Sequence, residues 1–388
     1  MAGQTLDPLP RYHTIGKAEH ANVMKALKQP LSGYVGGHPT QGYWVKKLAE
    51  DWGRAFGVHY AIPCNSATSG LLAACMAAGI GPGDEVWVST YTMSATAAAP
   101  MILGAKVKFF DIDLTYFCAS PTIQPSERLP KAIIITNLFG CAADLMEWRT
   151  VCDEHNIVLI EDNAQAPFAT ESGKLTGTIG HMGVFSLNIH KHMQCGEGGV
   201  IVTNSPALAM LLEGAINHGE LGPADLDIGG NFRMTEVTAA IACAQLKKGF
   251  DLVQSRIDLA EAISDIFHEV PFVDIPVKRQ GEVHAYYLWA GKINGDNACD
   301  IRKRFVTGLV DRSVPFRIGY SPLLHKLFGE EVILPVAEDI EDNRLFTFEV
   351  CAYDLKTHHL NRMRDIILEE ADAISKTRQD EVPKVLES

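Results

Sequence analysis

The sequence lacks the usual marks of several protein classes. It has no CxxC pair, no basic-then-apolar start and no surplus of positive charge. It also has no apolar run of roughly 18 residues, the length that spans a bilayer. Without such a run or a signal-like start, the chain is expected to be cytoplasmic and to have no membrane partner. Its formal charge of −13 at pH 7 argues against nucleic acid and anionic membrane surfaces as partners. The nine cysteines are odd in number and scattered, which suggests reduced thiols rather than a disulfide framework. No internal repeat or low-complexity linker interrupts the chain.

What is present is ordinary globular material. The chain has 388 residues, 47% apolar and 21% charged, enough for two domains. Trp44, Leu48, Trp52 and Phe56 recur every four residues and predict a helix over 41–56. Short apolar stretches then alternate with helical ones: strands at 59–64, 106–112, 131–137, 156–162, 183–187 and 198–204, with helices after 66, at 94–103 and at 144–155. The stretch GDEVWVS supplies a further strand after a Gly/Pro turn. This alternation predicts an α/β chain with a mostly parallel sheet covered on both faces, whose ligands sit in loops at the carboxyl ends of the strands. A long helical stretch at 234–265 leads into strand candidates PFVDIPVK and AYYLWAGKI, then helices near 299–311 and 357–375. The expected division is a large domain over 1–255 and a smaller α+β domain over 256–388.

Three features fall where such a sheet places its ligands. Ser66-Ala67-Thr68-Ser69 follows a strand and opens a helix. Backbone N–H groups there can face a phosphate, or the hydroxyls can simply cap the helix. Asp162, in EDNAQ, ends an apolar strand; it can pair with a protonated ring nitrogen, ligate magnesium or cap a turn. Lys191, in NIHKHMQCGEGG, follows the strand GVFSL and is either a Schiff-base lysine or a solvated surface one. Zinc at His190, His192 and Cys195 fails the ligand rules, because no second ligand pair exists elsewhere, and no metal is expected. Phosphate, ring nitrogen and aldehyde are the handles of pyridoxal 5′-phosphate (PLP), and each has a candidate here.

With these motifs the sequence resembles the DegT/DnrJ/EryC1/StrS family of PLP-dependent sugar aminotransferases. The likeness runs over roughly residues 20–375. It rests on NSATSGL, GIGPGDEV (79–86), NLFGCAADL (137–145), EDNAQA (161–166), FSLNIHKHMQCGEGG (185–199), NHGELG (217–222) and GGNFRMTEVTAAIACAQLKK (229–248), in family order. The resemblance implies the fold type I of PLP-dependent transferases, with a seven-stranded sheet in an α/β/α large domain. It implies that Lys191 forms the internal Schiff base, that Asp162 pairs with the pyridinium nitrogen and that Gln165 bonds the ring oxygen. Ala67, Thr68 and Ser186 would hold the phosphate. Asn231 would reach the phosphate of the neighbouring subunit, which implies a homodimer with shared sites. Tyr34 and His325 would lie on the substrate side.

The implied reaction moves an amino group from an amino acid such as L-glutamate to a keto sugar, for instance a nucleotide-linked 4-keto-6-deoxy sugar. Two alternatives stay open: a non-nucleotide acceptor such as a keto-cyclitol, and a sugar 3-dehydratase, in which relatives carry histidine at the lysine position. Two departures from the pattern stand out. Met93 occupies the place of the usual aromatic over the cofactor ring, unless Tyr91 stacks there instead. The stretch LFTFEVCAYDL (345–355) does not follow the family's Pro-rich ending.

Overall fold

The computed structural model describes residues 5–34, 42–121, 128–220 and 228–381. Its elements run α1 (Lys17–Ala26), α2 (Tyr43–Phe56), β1 (Tyr60–Cys64), α3 (Ala67–Ala77), β2 (Glu85–Ser89), α4 (Ala95–Ile102), β3 (Lys106–Phe110) and β4 (Ala132–Thr136). After these come α5 (Leu145–His155), β5 (Val158–Asp162), the short pair β6 (Thr170–Glu171) and β7 (Lys174–Leu175), then β8 (Met182–Ser186) and β9 (Gly199–Thr203). Helices α6 (Pro206–Ala215), α7 (Glu236–Lys247) and α8 (Gly249–Phe267) complete this part.

Seven strands form one sheet in the order β1-β9-β8-β5-β4-β2-β3. The pairs from β8 to β3 are parallel, and β9 is antiparallel to both its neighbours. This is the mostly parallel sheet expected. Both its faces are covered, as β4 shows. Ala132 and Ile134 pack on one side with α3, and Ile133 and Ile135 on the other with Trp148 of α5. Period-two alternation sends neighbours to opposite faces, so a strand apolar at every position suits only a doubly covered sheet. Each buried isoleucine contributes roughly 1.5–3 kcal/mol.

The remainder holds β10 (Val273–Asp274), β11 (Trp289–Ile293), α9 (Ala298–Asp311), β12 (Phe316–Ile318), α10 (Leu324–Leu327), α11 (Pro335–Asp339), β13 (Leu345–Phe348) and α12 (Thr357–Glu381). Its antiparallel sheet, β10-β11-β13-β12, packs around Phe267, Trp289, Phe305, Phe346 and Phe348. The predicted strands at 271–278 and 285–293 shorten to Val273–Asp274 and Trp289–Ile293. The backbone before Trp289 is used elsewhere. Ala285 N and Tyr287 N donate to Gly140 O and Phe139 O, both at 2.8 Å.

Residue 255 lies inside α8, which joins the two parts as one helix. The N-terminal stretch packs on the small sheet's side: Leu6 joins its core, and Tyr12 N donates to Ala352 O at 3.0 Å. Leu324 and Leu334 instead pack in the core of the large sheet. Among the described residues no helix is long and apolar enough to cross a membrane.

Candidate active site

The three chemical features meet at the carboxyl ends of β5 and β8 and the start of α3. They line one cavity of about 340 Å³ with Ser66, Ala67, Thr68, Met93, Asp162, Gln165, Ser186, Lys191, Tyr287 and Tyr320 in its wall. The parallel sheet brings them together, since strand ends distant in sequence are adjacent in the stack.

Ser66 caps α3, its Oγ accepting from Ser69 N at 3.1 Å. Capping does not exhaust the helix start. The amides of Ala67 and Thr68 lie in the first turn, where no carbonyl of the helix can reach them, and both residues face the cavity. The cradle is built close. A Cβ added to Gly199, which opens β9, would stand 2.7 Å from Ala67 N. Ser186 closes the cradle from the end of β8.

Asp162 is buried, with Thr96 Oγ1 donating to one carboxylate oxygen at 2.7 Å and Ala164 N to the other at 3.1 Å. Burial pushes its carboxyl above the ordinary range, and these bonds and the charge of Lys191 only partly oppose this. A protonated nitrogen placed beside it would restore its charge. Neighbouring Glu161 has a different task. It is buried and accepts from the amides of Gly177, Ile179 and Gly180 at 2.5–2.7 Å, anchoring that loop.

Lys191 stands at the tip of the β8–β9 connection, its Nζ 4.0 Å from the centroid of the Tyr287 ring. Burial lowers its amine from 10.5 to about 8, and the attraction of Asp162 only partly opposes this. Half-buried, over the Tyr287 ring and in the cavity wall, it is not a solvated surface lysine. His192, next in the chain, is fully buried, and its Nε2 donates to Ala285 O at 2.8 Å. Burial takes this imidazole down to about 4, so it is neutral and acts as a tie, not a charge. It joins the lysine loop to the segment carrying Tyr287. His190 is exposed at the cavity wall, and Cys195 is buried. Among the described residues no group of His, Cys, Asp and Glu could hold a metal.

Gln165 is oriented by two bonds. Its Oε1 accepts from Phe139 N at 2.8 Å, and its Nε2 donates to Tyr320 OH at 2.8 Å. Met93 is exposed and lines the cavity, whereas Tyr91 is fully buried and donates to Glu341. Met93, not Tyr91, therefore lines the cavity.

Three expected residues lie outside the cavity wall. Asn231 is exposed, its carbonyl accepting from Asn65 Nδ2 at 3.3 Å. Tyr34 is at the surface, its hydroxyl donating to Glu220 Oε2 at 3.3 Å. His325 is buried, with Nδ1 2.6 Å from Thr90 Oγ1 and Nε2 3.3 Å from Glu338 Oε1. Leu221 and Gly222 of the NHGELG motif fall outside the described residues.

The sequence reading missed Thr96, Tyr287 and Tyr320. Tyr287 was hidden inside an apparent strand, AYYLWAGKI. Only a polar atom next to a buried carboxylate distinguishes Thr96, and that is a tertiary fact.

A family profile described as the DegT/DnrJ/EryC1/StrS aminotransferase family matches residues 17–347. Protein MosB of Rhizobium meliloti is 29% identical over 306 residues, covering 72% of this chain but 60% of MosB. The L-glutamine:2-deoxy-scyllo-inosose aminotransferase of Streptoalloteichus tenebrarius is 28% identical over 295 residues, 72% of this chain and 70% of that protein. The solved structure of the aminotransferase from Psychrobacter cryohalolentis superposes with a TM-score of 0.82 at 25% identity, covering 95% of this chain and all of that one.

Proposed function

The chain belongs to the DegT/DnrJ/EryC1/StrS aminotransferase family, a PLP-dependent family of sugar aminotransferases, and from that premise we propose that it transfers an amino group from L-glutamate to a keto sugar. The acceptor we favour is a nucleotide-linked 4-keto-6-deoxy sugar. One observation carries the reading: a helix start, a buried carboxylate and a desolvated lysine line a single cavity.

These residues fit PLP. The Ala67 and Thr68 amides, with Ser186, would hold its phosphate, Asp162 its ring nitrogen and Gln165 its ring oxygen. Met93 would cover one ring face. Bound there, the group supplies an aldehyde for amine exchange and a ring that withdraws electrons from the donor α-carbon. Lys191 Nζ then takes the proton from that carbon. Its lowered pKa keeps a useful fraction neutral near pH 8. The Tyr287 face beneath Nζ stabilises the ammonium while it holds the proton. Thr96 and Ala164 keep Asp162 aimed, and His192 keeps the lysine loop in register with Tyr287. Asn231, exposed and outside its own cavity wall, suits a reach toward a second copy in a homodimer, and Tyr34 is exposed as well.

A keto-cyclitol acceptor is the second reading, favoured by the name of the Streptoalloteichus relative. A 3-dehydratase is disfavoured because lysine, not histidine, stands at 191, and His192 is buried and tied to Ala285 O. Lys191→Ala should keep the fold, abolish transamination from L-glutamate and remove the near-visible absorption that PLP gains on the lysine. A fully active variant would sink the proposal. A panel of acceptors, nucleotide-linked keto sugars against 2-deoxy-scyllo-inosose, separates the two readings.

A further inference from the structure

Beyond the cofactor cavity lies a larger one of about 510 Å³. The two share Met93, His190, Tyr287 and Tyr320, so the larger one is where a molecule reacting at Lys191 would extend. Part of its wall comes from the small sheet and the N-terminal stretch: Arg11, Arg317, Glu349 and Cys351. In a chain of net charge −13, this wall holds two guanidiniums against one carboxylate. Arg11 sits 5.0 Å from the centroid of the Tyr353 ring, and no carboxylate pairs with it among the described residues.

Arg317 is held differently on its two edges. Its Nε donates to Thr347 Oγ1 at 3.1 Å, and that buried hydroxyl donates in turn to Gly319 O at 2.9 Å. This edge is fixed to the sheet. Its Nη1 donates to Glu349 Oε1 at 3.1 Å, and the two side chains are 43% and 45% exposed. Water screens a pair this exposed, so it is weak and readily exchanged for another carboxylate. The guanidinium is thus positioned by one edge and released by the other.

An aminotransferase fills one space with two substrates in turn. Its amino-acid donor brings carboxylates, and the ring of its keto-sugar acceptor brings none. A permanently free guanidinium would suit the first and stand unpaired against the ring of the second. We propose that Arg317 and Glu349 form a substrate-charge switch: Glu349 yields Arg317 to a carboxylate of the donor and reclaims it when the uncharged acceptor ring occupies the cavity. Arg317 is then the residue that selects an anionic donor. This rests on the aminotransferase reading given above.

The test uses protein loaded with PLP, with glutarate, the donor skeleton without its amine, as the titrant in calorimetry. Arg317→Leu should weaken glutarate roughly 100-fold, the loss expected for a charge-assisted bidentate contact. Arg317→Lys should recover part of it. Glu349→Gln should tighten glutarate several-fold, because its competitor is gone. In the half-reaction with L-glutamate, Arg317→Leu should raise the concentration needed for half-maximal rate far more than it lowers the rate at saturation. Unchanged glutarate binding in Arg317→Leu overturns the switch. So does an equal loss toward glutarate and toward 2-deoxy-scyllo-inosose, which would mark a merely structural residue. Glutarate binding that Glu349→Gln leaves unaltered removes the competition between carboxylates. If wild-type protein fails to react with any amino acid, the aminotransferase reading falls, and the glutarate titration still reports on the arginine by itself.

Discussion

Lys191 carries a stability cost that can be measured without the cofactor. Burial lowers its amine from 10.5 to about 8. At about 1.36 kcal/mol per pH unit, that gap makes the folded state roughly 3 kcal/mol less stable than it would be with a neutral side chain. The sign follows from proton counting. Between pH 8 and 10.5 the unfolded chain still binds the proton that the folded chain has lost, so stability rises with pH across that window. Between pH 7 and 9.5, about 2 kcal/mol of the cost is relieved. Lys191→Met keeps the length and the packing but removes the titration. Urea unfolding of both proteins, free of PLP, at pH 7 and pH 9.5 gives a double difference in which titrating groups not coupled to Lys191 cancel. The variant should be the more stable by about 3 kcal/mol at pH 7, and its lead should shrink by about 2 kcal/mol at pH 9.5. A lead that does not move with pH would refute the desolvated amine. With it would go the explanation of how the lysine is nearly half deprotonated at pH 8, where an ordinary lysine is so only about once in 300.

Three further outcomes follow from single contacts. Thr96→Val removes the hydroxyl that donates to Asp162 at 2.7 Å. It should destabilise the protein by about 1–3 kcal/mol at pH 7, read by urea unfolding, and weaken PLP in titration. Gly199→Ala places a Cβ 2.7 Å from Ala67 N and should displace the start of α3. The overpacking costs about 1–3 kcal/mol, and PLP affinity should fall at least about tenfold while the circular dichroism stays native. Met93→Ala should shift the absorption of bound PLP and weaken it several-fold, whereas Tyr91→Phe should leave that spectrum unchanged. The reverse pattern would put the phenol on the ring.

Much of the architecture was legible because local rules and the global fold agree. Strands apolar at every position, such as Ala132–Thr136, alternate with helices and can be satisfied only by a parallel sheet covered on both sides. The small-domain strands were less legible. Leu345–Phe348 resembles any apolar run, and Ala285–Leu288 is apolar and aromatic yet lends its amides to Phe139 and Gly140 instead of a ladder. A propensity argument cannot see a partner about 145 residues away, and that partner decided the strand's length.

The sequence by itself determined that Lys191, Asp162 and the Ser66–Thr68 turn stand at strand ends. Strand positions and helix starts follow from patterns of two and of 3.6 residues, and these are written in the chain. Only the tertiary structure decided what those residues are. Whether a lysine is a solvated ammonium or a near-neutral base depends on the water removed from around it, and Tyr287 removes it from a distant segment. Whether Met93 or Tyr91 lines the cavity depends on which side chain the core had already claimed, and Glu341 claimed Tyr91. Desolvation and competition for space are properties of the packed chain, so no window of sequence contains them.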